Sequence, residues 1–187
     1  MSNPEYHTER NTLAYSIEKN VEVKTQKCYQ CGKCSAGCPI AYEMDLPPSV
    51  VMRLLQTEVS TNDDKILRSH SIWLCVACEM CLSRCPMEID IPSMMDYLRQ
   101  RSRSEKKVNR KARKIIAFHK SFLNSIRLTG RLFEFGLILD YKRQSLNLTQ
   151  DISLAPQMIS RGKLHFLPHI IKDKAHLTRI FKKTSKL

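Results

Sequence analysis

Two runs decide the reading of this chain: Cys28-Tyr-Gln-Cys31-Gly-Lys-Cys34-Ser-Ala-Gly-Cys38-Pro39 and Cys75-Val-Ala-Cys78-Glu-Met-Cys81-Leu-Ser-Arg-Cys85-Pro86. Both read C-x2-C-x2-C-x3-C-P, and together they hold all 8 cysteines of the 187 residues. Two-residue gaps let a tightly coiled loop present three thiolates to three corners of one [4Fe–4S] cube, while the proline after the fourth cysteine redirects the chain. In two-cluster ferredoxins that fourth cysteine ligates the other cluster. The expected ligand sets are therefore Cys28, Cys31, Cys34 and Cys85 for one [4Fe–4S] cluster, and Cys75, Cys78, Cys81 and Cys38 for the second. Such crossing ties both halves of a domain together through iron, so that losing a cluster unfolds much of it.

Zinc and disulfides are the competing uses of these cysteines. Zinc sites use separated C-x-x-C pairs, which leaves the third closely spaced cysteine of each run without a role. Disulfides belong to oxidising compartments. Residues 1–10 lack the basic start and apolar core of a secretory signal. No apolar run approaches the ~20 residues of a membrane span, and the nearest candidate, 132–141, contains Glu134, Gly136 and Asp140. The expectation is a cytoplasmic protein whose clustered thiols stay reduced and bind metal.

Between Cys38 and Cys75 lie 36 residues with helical features. Asp45 is expected to cap a helix opened by Pro47 and Pro48, with Val50, Val51, Leu54 and Leu55 on one apolar face. Asn62 is expected to cap a second, with Asp63 and Asp64 in its first turn and Ile66 and Leu67 facing inward. After the second motif, Asp90 and Pro92 start another that buries Met94, Met95 and Leu98. Apart from a possible short strand at 21–23, no period-two alternation is present. The fold class that follows is all-α: a helical ferredoxin-like domain for two [4Fe–4S] clusters over residues 20–104. An N-terminal arm (1–19) precedes it, and a basic helical extension with a partner-docking tail (105–187) follows. In the extension, Ile115, Phe118, Phe122 and Ile126 recur at helical spacing. Lys107, Lys111 and Lys114 fall on another face, and Gly130 and Gly136 are candidate interruptions.

The net charge of +13 is uneven. Residues 1–98 carry 9 basic and 13 acidic side chains, whereas residues 99–131 carry 12 and 1. That basic stretch can form a docking surface for a redox partner, and a solvated helix face explains it equally well. Nucleic-acid or membrane-surface binding would also use such charge, but neither explains paired clusters. The six histidines (His7, His70, His119, His165, His169, His176) are scattered, with no nucleophile or carboxylate motif beside them, so no catalytic residue is assigned. Trp73 reads as packing against a cluster loop, Met94 and Met95 as helix core. Lys33 either raises the potential of the first cluster by its charge or is simply solvated.

The first cysteine run, the Trp73-Leu-Cys-Val-Ala-Cys78 approach to the second and the segment Gly130-Arg131-Leu132-Phe133-Glu134 together resemble the iron–sulfur C subunit of the heterodisulfide reductases of methanogenic archaea, over residues 24–141. The resemblance implies an α-helical ferredoxin fold with two [4Fe–4S] clusters. It implies a relay of single electrons from a flavin-bearing A subunit to a catalytic B subunit, which reduces the mixed disulfide of coenzyme M and coenzyme B in methanogenesis. A larger complex with a hydrogenase or formate dehydrogenase is the expected setting. The Cys-Cys-Gly motifs of that B subunit are absent from this chain, so the disulfide chemistry is expected on another polypeptide. The alternative within redox chemistry is the iron–sulfur subunit of a fumarate reductase or of a glycerol-3-phosphate or glycolate oxidase. An iron–sulfur protein docked on nucleic acid through residues 99–131 is the alternative from a binding class.

Overall fold

Polar side chains start helices in the half of the chain that holds the cysteines, some from the adjacent position and some from far along the chain. Asp90 caps its own helix: its carboxylate accepts the Ser93 N–H at 3.0 Å, and Pro92 lies in the first turn. That helix turns Met94, Met95 and Leu98 fully inward, as expected. Thr12 caps a helix that starts at Leu13 by accepting the Tyr15 N–H, and Asp63, far along the chain, takes the Leu13 N–H at 2.9 Å. Asp45 does not cap the helix that follows it. Its carboxylate instead accepts the His70 and Ser71 N–H groups and the Ser71 hydroxyl at 2.6–3.0 Å, so it caps a short helix 26 positions downstream.

This computed structural model describes residues 12–146, 155–162, 167–171 and 174–184. His7, His165 and residues 1–11 of the expected arm lie outside them. The chain divides into two compact units, Met1–Ala112 and Arg113–Leu187. The first unit contains α1 (Leu13–Val21), α2 (Lys33–Ala36), α3 (Pro48–Gln56), α4 (Ser60–Leu67), α5 (Ser71–Leu74), α6 (Met80–Ser83) and α7 (Ile91–Ser104). Its core is Ile17, Val51, Met52, Leu55, Ile66, Ile72, Met94, Met95 and Leu98, all without accessible surface. Ile17 belongs to α1, which packs on α3 and α7, so residues 13–19 are part of this unit rather than of an arm. The unit also runs past residue 104. Lys107 bridges Asp64 at 3.0 Å and Glu105 at 2.8 Å, and the Asn109 amide donates to the Arg68 carbonyl.

The described residues are helical and contain no β-strand. At 21–23, Val21 ends α1, Glu22 closes it in the left-handed region with φ 59°, and Val23 is buried. The helix α4 begins at Ser60, two positions before Asn62, whose amide bonds the Thr57 hydroxyl instead of capping. On α3 the inward face is Val51, Met52 and Leu55, while Val50 is exposed.

The second unit contains α8 (Arg113–Thr129), α9 (Glu134–Ser145), α10 (Ala155–Ser160) and α11 (Lys174–Thr184). The buried side of α8 is not the expected Ile115, Phe118, Phe122 and Ile126 but the parallel line Ala117, Ser121, Ser125 and Thr129. Small side chains let α9 approach closely. The Ser125 hydroxyl accepts the Phe133 N–H at 2.9 Å, the Gln144 amide donates to Ser121, and the Asn124 amide donates to Asp140. Phe118 remains 44% exposed and meets Tyr141 edge-on. Gly130 ends α8 with φ 84°, as expected of a helix-terminating glycine. Gly136 does not interrupt: it lies inside α9, where the missing Cβ leaves room for the Phe133 ring. No helix among the described residues is long and apolar enough to cross a membrane.

Candidate metal centre

The two cysteine runs adopt the same backbone. Gln30 and Gly32 in the first occupy the left-handed region, with φ 60° and 77°, and so do Ala77 and Glu79 in the second, with φ 51° and 58°. Each left-handed pair coils the C-x2-C-x2-C stretch, and each ends as the N-cap of a one-turn helix, α2 after Gly32 and α6 after Glu79. Three of the four positions are not glycine, and a left-handed non-glycine residue costs roughly 1–2 kcal/mol. Strain of this kind persists where the surroundings impose it, and it clusters at functional sites.

All eight thiols are free. A small, mostly apolar pocket is lined by Cys75, Cys78 and Cys81 of the second run and by Cys38 of the first, with Ile40, Met44, Ile91 and Met95 supplying apolar walls. These four cysteines are one of the two crossed sets expected from the spacing. Around the other, the exposed Tyr29 feels Cys31, Cys85 and Cys28 together: partial desolvation and then the charges of these cysteines raise its hydroxyl above the ordinary range. Arg84, the neighbour of Cys85, packs against Gly37 of the first run. Burial pushes the Cys81 thiol up to about 11, helped by the charge of Cys75 and, more weakly, of Cys34. Burial likewise raises Cys34, with a contribution from Cys28. The two runs adjoin, for α2 packs on α6.

Donor chemistry and shape fit a cubane cluster. The four thiols of the second set line one apolar pocket, a soft donor set of the kind that holds iron–sulfur clusters. Thiols whose ionisation burial disfavours must release their protons on binding iron, so loading is coupled to pH.

The scaffold around the loops is polar and specific. The Ser35 hydroxyl, one residue after Cys34, accepts the Ser49 N–H at 2.8 Å and so caps α3. The Gln56 amide, at the far end of α3, donates to the Cys28 carbonyl at 2.6 Å and the Thr25 carbonyl at 3.1 Å. On α7, Arg99 donates through Nε to the Ile72 carbonyl at 2.6 Å and through NH2 to the Cys75 carbonyl at 2.7 Å. Asp45 holds α5, which leads directly into Cys75. Trp73 is buried in α5, as expected of core packing, while Lys33 is exposed. Nothing local in the sequence marks Ser35, Gln56 and Arg99 as supports of the cysteine loops. The signal available for the last two was their equal register in the helices that follow each motif. Among the cations of the basic stretch, Arg99, Arg101 and Lys107 have internal partners, which reduces the charge available to a ligand in the first unit.

Residues 24–89 match the 4Fe-4S dicluster domain. The chain is 32% identical over 90 residues to the iron-sulfur C subunit of the CoB--CoM heterodisulfide reductase of Methanopyrus kandleri, covering 48% of this chain and 45% of that one. It is 33% identical over 102 residues to the C subunit of the Ferredoxin:CoB-CoM heterodisulfide reductase of Methanosarcina acetivorans, covering 54% of this chain and 40% of that one. Another iron-sulfur C subunit, from Methanocaldococcus jannaschii, is 32% identical over 87 residues, 46% of this chain and 42% of its own. The chain thus spans less than half the length of these relatives. Over its cysteine-bearing part, the chain is therefore similar to the iron–sulfur C subunits of heterodisulfide reductases and carries a 4Fe-4S dicluster domain.

Proposed function

We propose that this chain is the electron-relay subunit of a heterodisulfide reductase. It would take single electrons from a flavin-bearing A subunit and pass them to a catalytic B subunit that reduces the coenzyme M–coenzyme B heterodisulfide. Two [4Fe–4S] clusters are assigned, one to Cys28, Cys31, Cys34 and Cys85, the other to Cys75, Cys78, Cys81 and Cys38. The observation that carries the reading is the pocket where Cys38 of the first run meets three cysteines of the second.

When bound, such a group supplies reversible one-electron transfer. The chain's own residues supply the rest. Eight thiols release protons and hold iron. The left-handed positions at Gln30, Gly32, Ala77 and Glu79 aim the first three thiols of each run. Ile40, Met44, Ile91 and Met95 line the apolar side of the second site, while Cys78 is exposed. Exposed apolar side chains on the loops themselves, Tyr29 at 58% and Val76 at 64%, offer contact surface close to the ligands. Regeneration and substrate chemistry are left to partner chains. No catalytic residue is assigned here, in keeping with the scattered histidines, of which His119, His169 and His176 are exposed.

The test is anaerobic affinity purification of the full chain from its own cells, with metal analysis. The expected result is iron with acid-labile sulfide, together with a flavoprotein and a Cys-Cys-Gly-bearing protein. A chain that carries clusters but associates with neither partner would contradict the relay assignment.

A further inference from the structure

Gln56 is the ninth residue of α3 and Arg99 the ninth of α7, the helices that follow the first and second cysteine runs. Each reaches back to the carbonyl of the first cysteine of its own run: Gln56 to Cys28 at 2.6 Å, Arg99 to Cys75 at 2.7 Å. The geometry repeats, but the charge does not. One donor is a neutral amide and the other a charged guanidinium. Arg99 is held by two carbonyls at once, Ile72 and Cys75, and its side chain is only 21% exposed. A cation so fixed and so shielded acts on its surroundings far more than a mobile surface lysine does. Its ionic partner among the described residues, Asp96 at 2.8 Å, is 55% exposed and offsets it incompletely.

We infer that Arg99 is a positioning and potential-tuning residue for the cluster held by Cys75, Cys78, Cys81 and Cys38, whereas Gln56 gives the other cluster the same mechanical support without charge. The inference rests on the two-cluster assignment. Adding an electron makes a cluster more negative, so a nearby fixed cation stabilises the reduced form and raises the reduction potential. The two sites are therefore tuned separately, although their ligand runs have identical spacing.

The experiment is an EPR-monitored reductive titration with dithionite, on the anaerobically prepared full chain and its Arg99→Gln, Arg99→Lys and Asp96→Asn variants. Arg99→Gln, which gives the second site the chemistry of the first, is expected to lower one midpoint potential and leave the other in place. Arg99→Lys keeps the charge and holds that potential nearer the parent value. Asp96→Asn removes the exposed counter-charge and raises the same potential. Arg99→Gln protein with full iron and sulfide whose two potentials are both unmoved, or both moved equally, would overturn the inference. Should Arg99→Gln fail to retain clusters, Asp96→Asn decides, and an unmoved potential there overturns it. A parent chain without sulfide would instead refute the two-cluster assignment itself, so the two failures are told apart.

Discussion

Gly37 and Arg84, each the residue immediately before the fourth cysteine of its run, pack against one another: a Cβ added at Gly37 would lie 2.5 Å from Arg84 Cδ. Corresponding positions of the two halves therefore meet, and they meet beside Cys38 and Cys85, the two cysteines that change sides in the proposed ligation. The packing of α2 on α6 is the helical counterpart of this contact. A bare glycine opposite a long arginine stem is a way for two copies of one motif to fit face to face without matching side chains.

Gly37→Ala is expected to displace the Arg84 stem and to destabilise the loaded chain by about 1 kcal/mol, in the lower range of overpacking changes. In an Arg84→Ala background the same substitution should cost almost nothing, a coupling that a double-mutant cycle of denaturant midpoints would reveal. Equal costs in both backgrounds would show that the contact is not what constrains Gly37.

Asp45 links the end of the first run to the start of the second by accepting from Leu46, His70 and Ser71. Burial raises its pKa, but the hydrogen bonds from the Ser71 hydroxyl and the three backbone N–H groups outweigh that and hold it below the ordinary carboxylate value. A depressed folded pKa means a contribution to stability that is complete above the unfolded pKa, near about 3.9, and is lost as pH falls through the folded value. Asp45→Ala should lower stability by about 2 kcal/mol at neutral pH. The gap between parent and variant, read from cluster-loss midpoints, should stay constant from neutral pH down to about 5 and shrink below about 4. A gap that widens with acid would contradict the assignment.

In the second unit, Ser121→Leu should wedge α8 from α9 and cost about 1–3 kcal/mol, because the hydroxyl that accepts from Gln144 sits on the buried line of small residues. Phe118→Ser, on the exposed apolar side, should leave the helical pair largely intact. Limited proteolysis of this unit checks both, and greater susceptibility in Phe118→Ser than in Ser121→Leu would reverse the assignment of faces.

What was legible in the sequence was whatever depends on near neighbours. The cysteine runs announced their metal chemistry by spacing alone, and Asp90 with Pro92 announced α7, because a cap and a first-turn proline act within four residues. Asp45 misled because its partners lie 25 and 26 positions downstream, where no local pattern points. The inward face of α8 misled for another reason. Periodicity follows hydrophobicity, so it selected Ile115, Phe118, Phe122 and Ile126, whereas close helix packing selected the small side chains beside them. The helix α1 has a local cap in Thr12, but its docking in the first unit rests partly on Asp63, 50 positions away, where no local pattern points.

The central claim is crossed ligation, and the most direct measurement compares EPR spectra of the reduced full chain with those of single cysteine variants. The parent is expected to hold about eight iron and about eight sulfide. Cys31→Ala and Cys85→Ala should perturb the same one of two cluster signals, while Cys78→Ala and Cys38→Ala perturb the other. If Cys85→Ala instead groups with Cys78→Ala, or if the parent contains zinc and no sulfide, the account is contradicted.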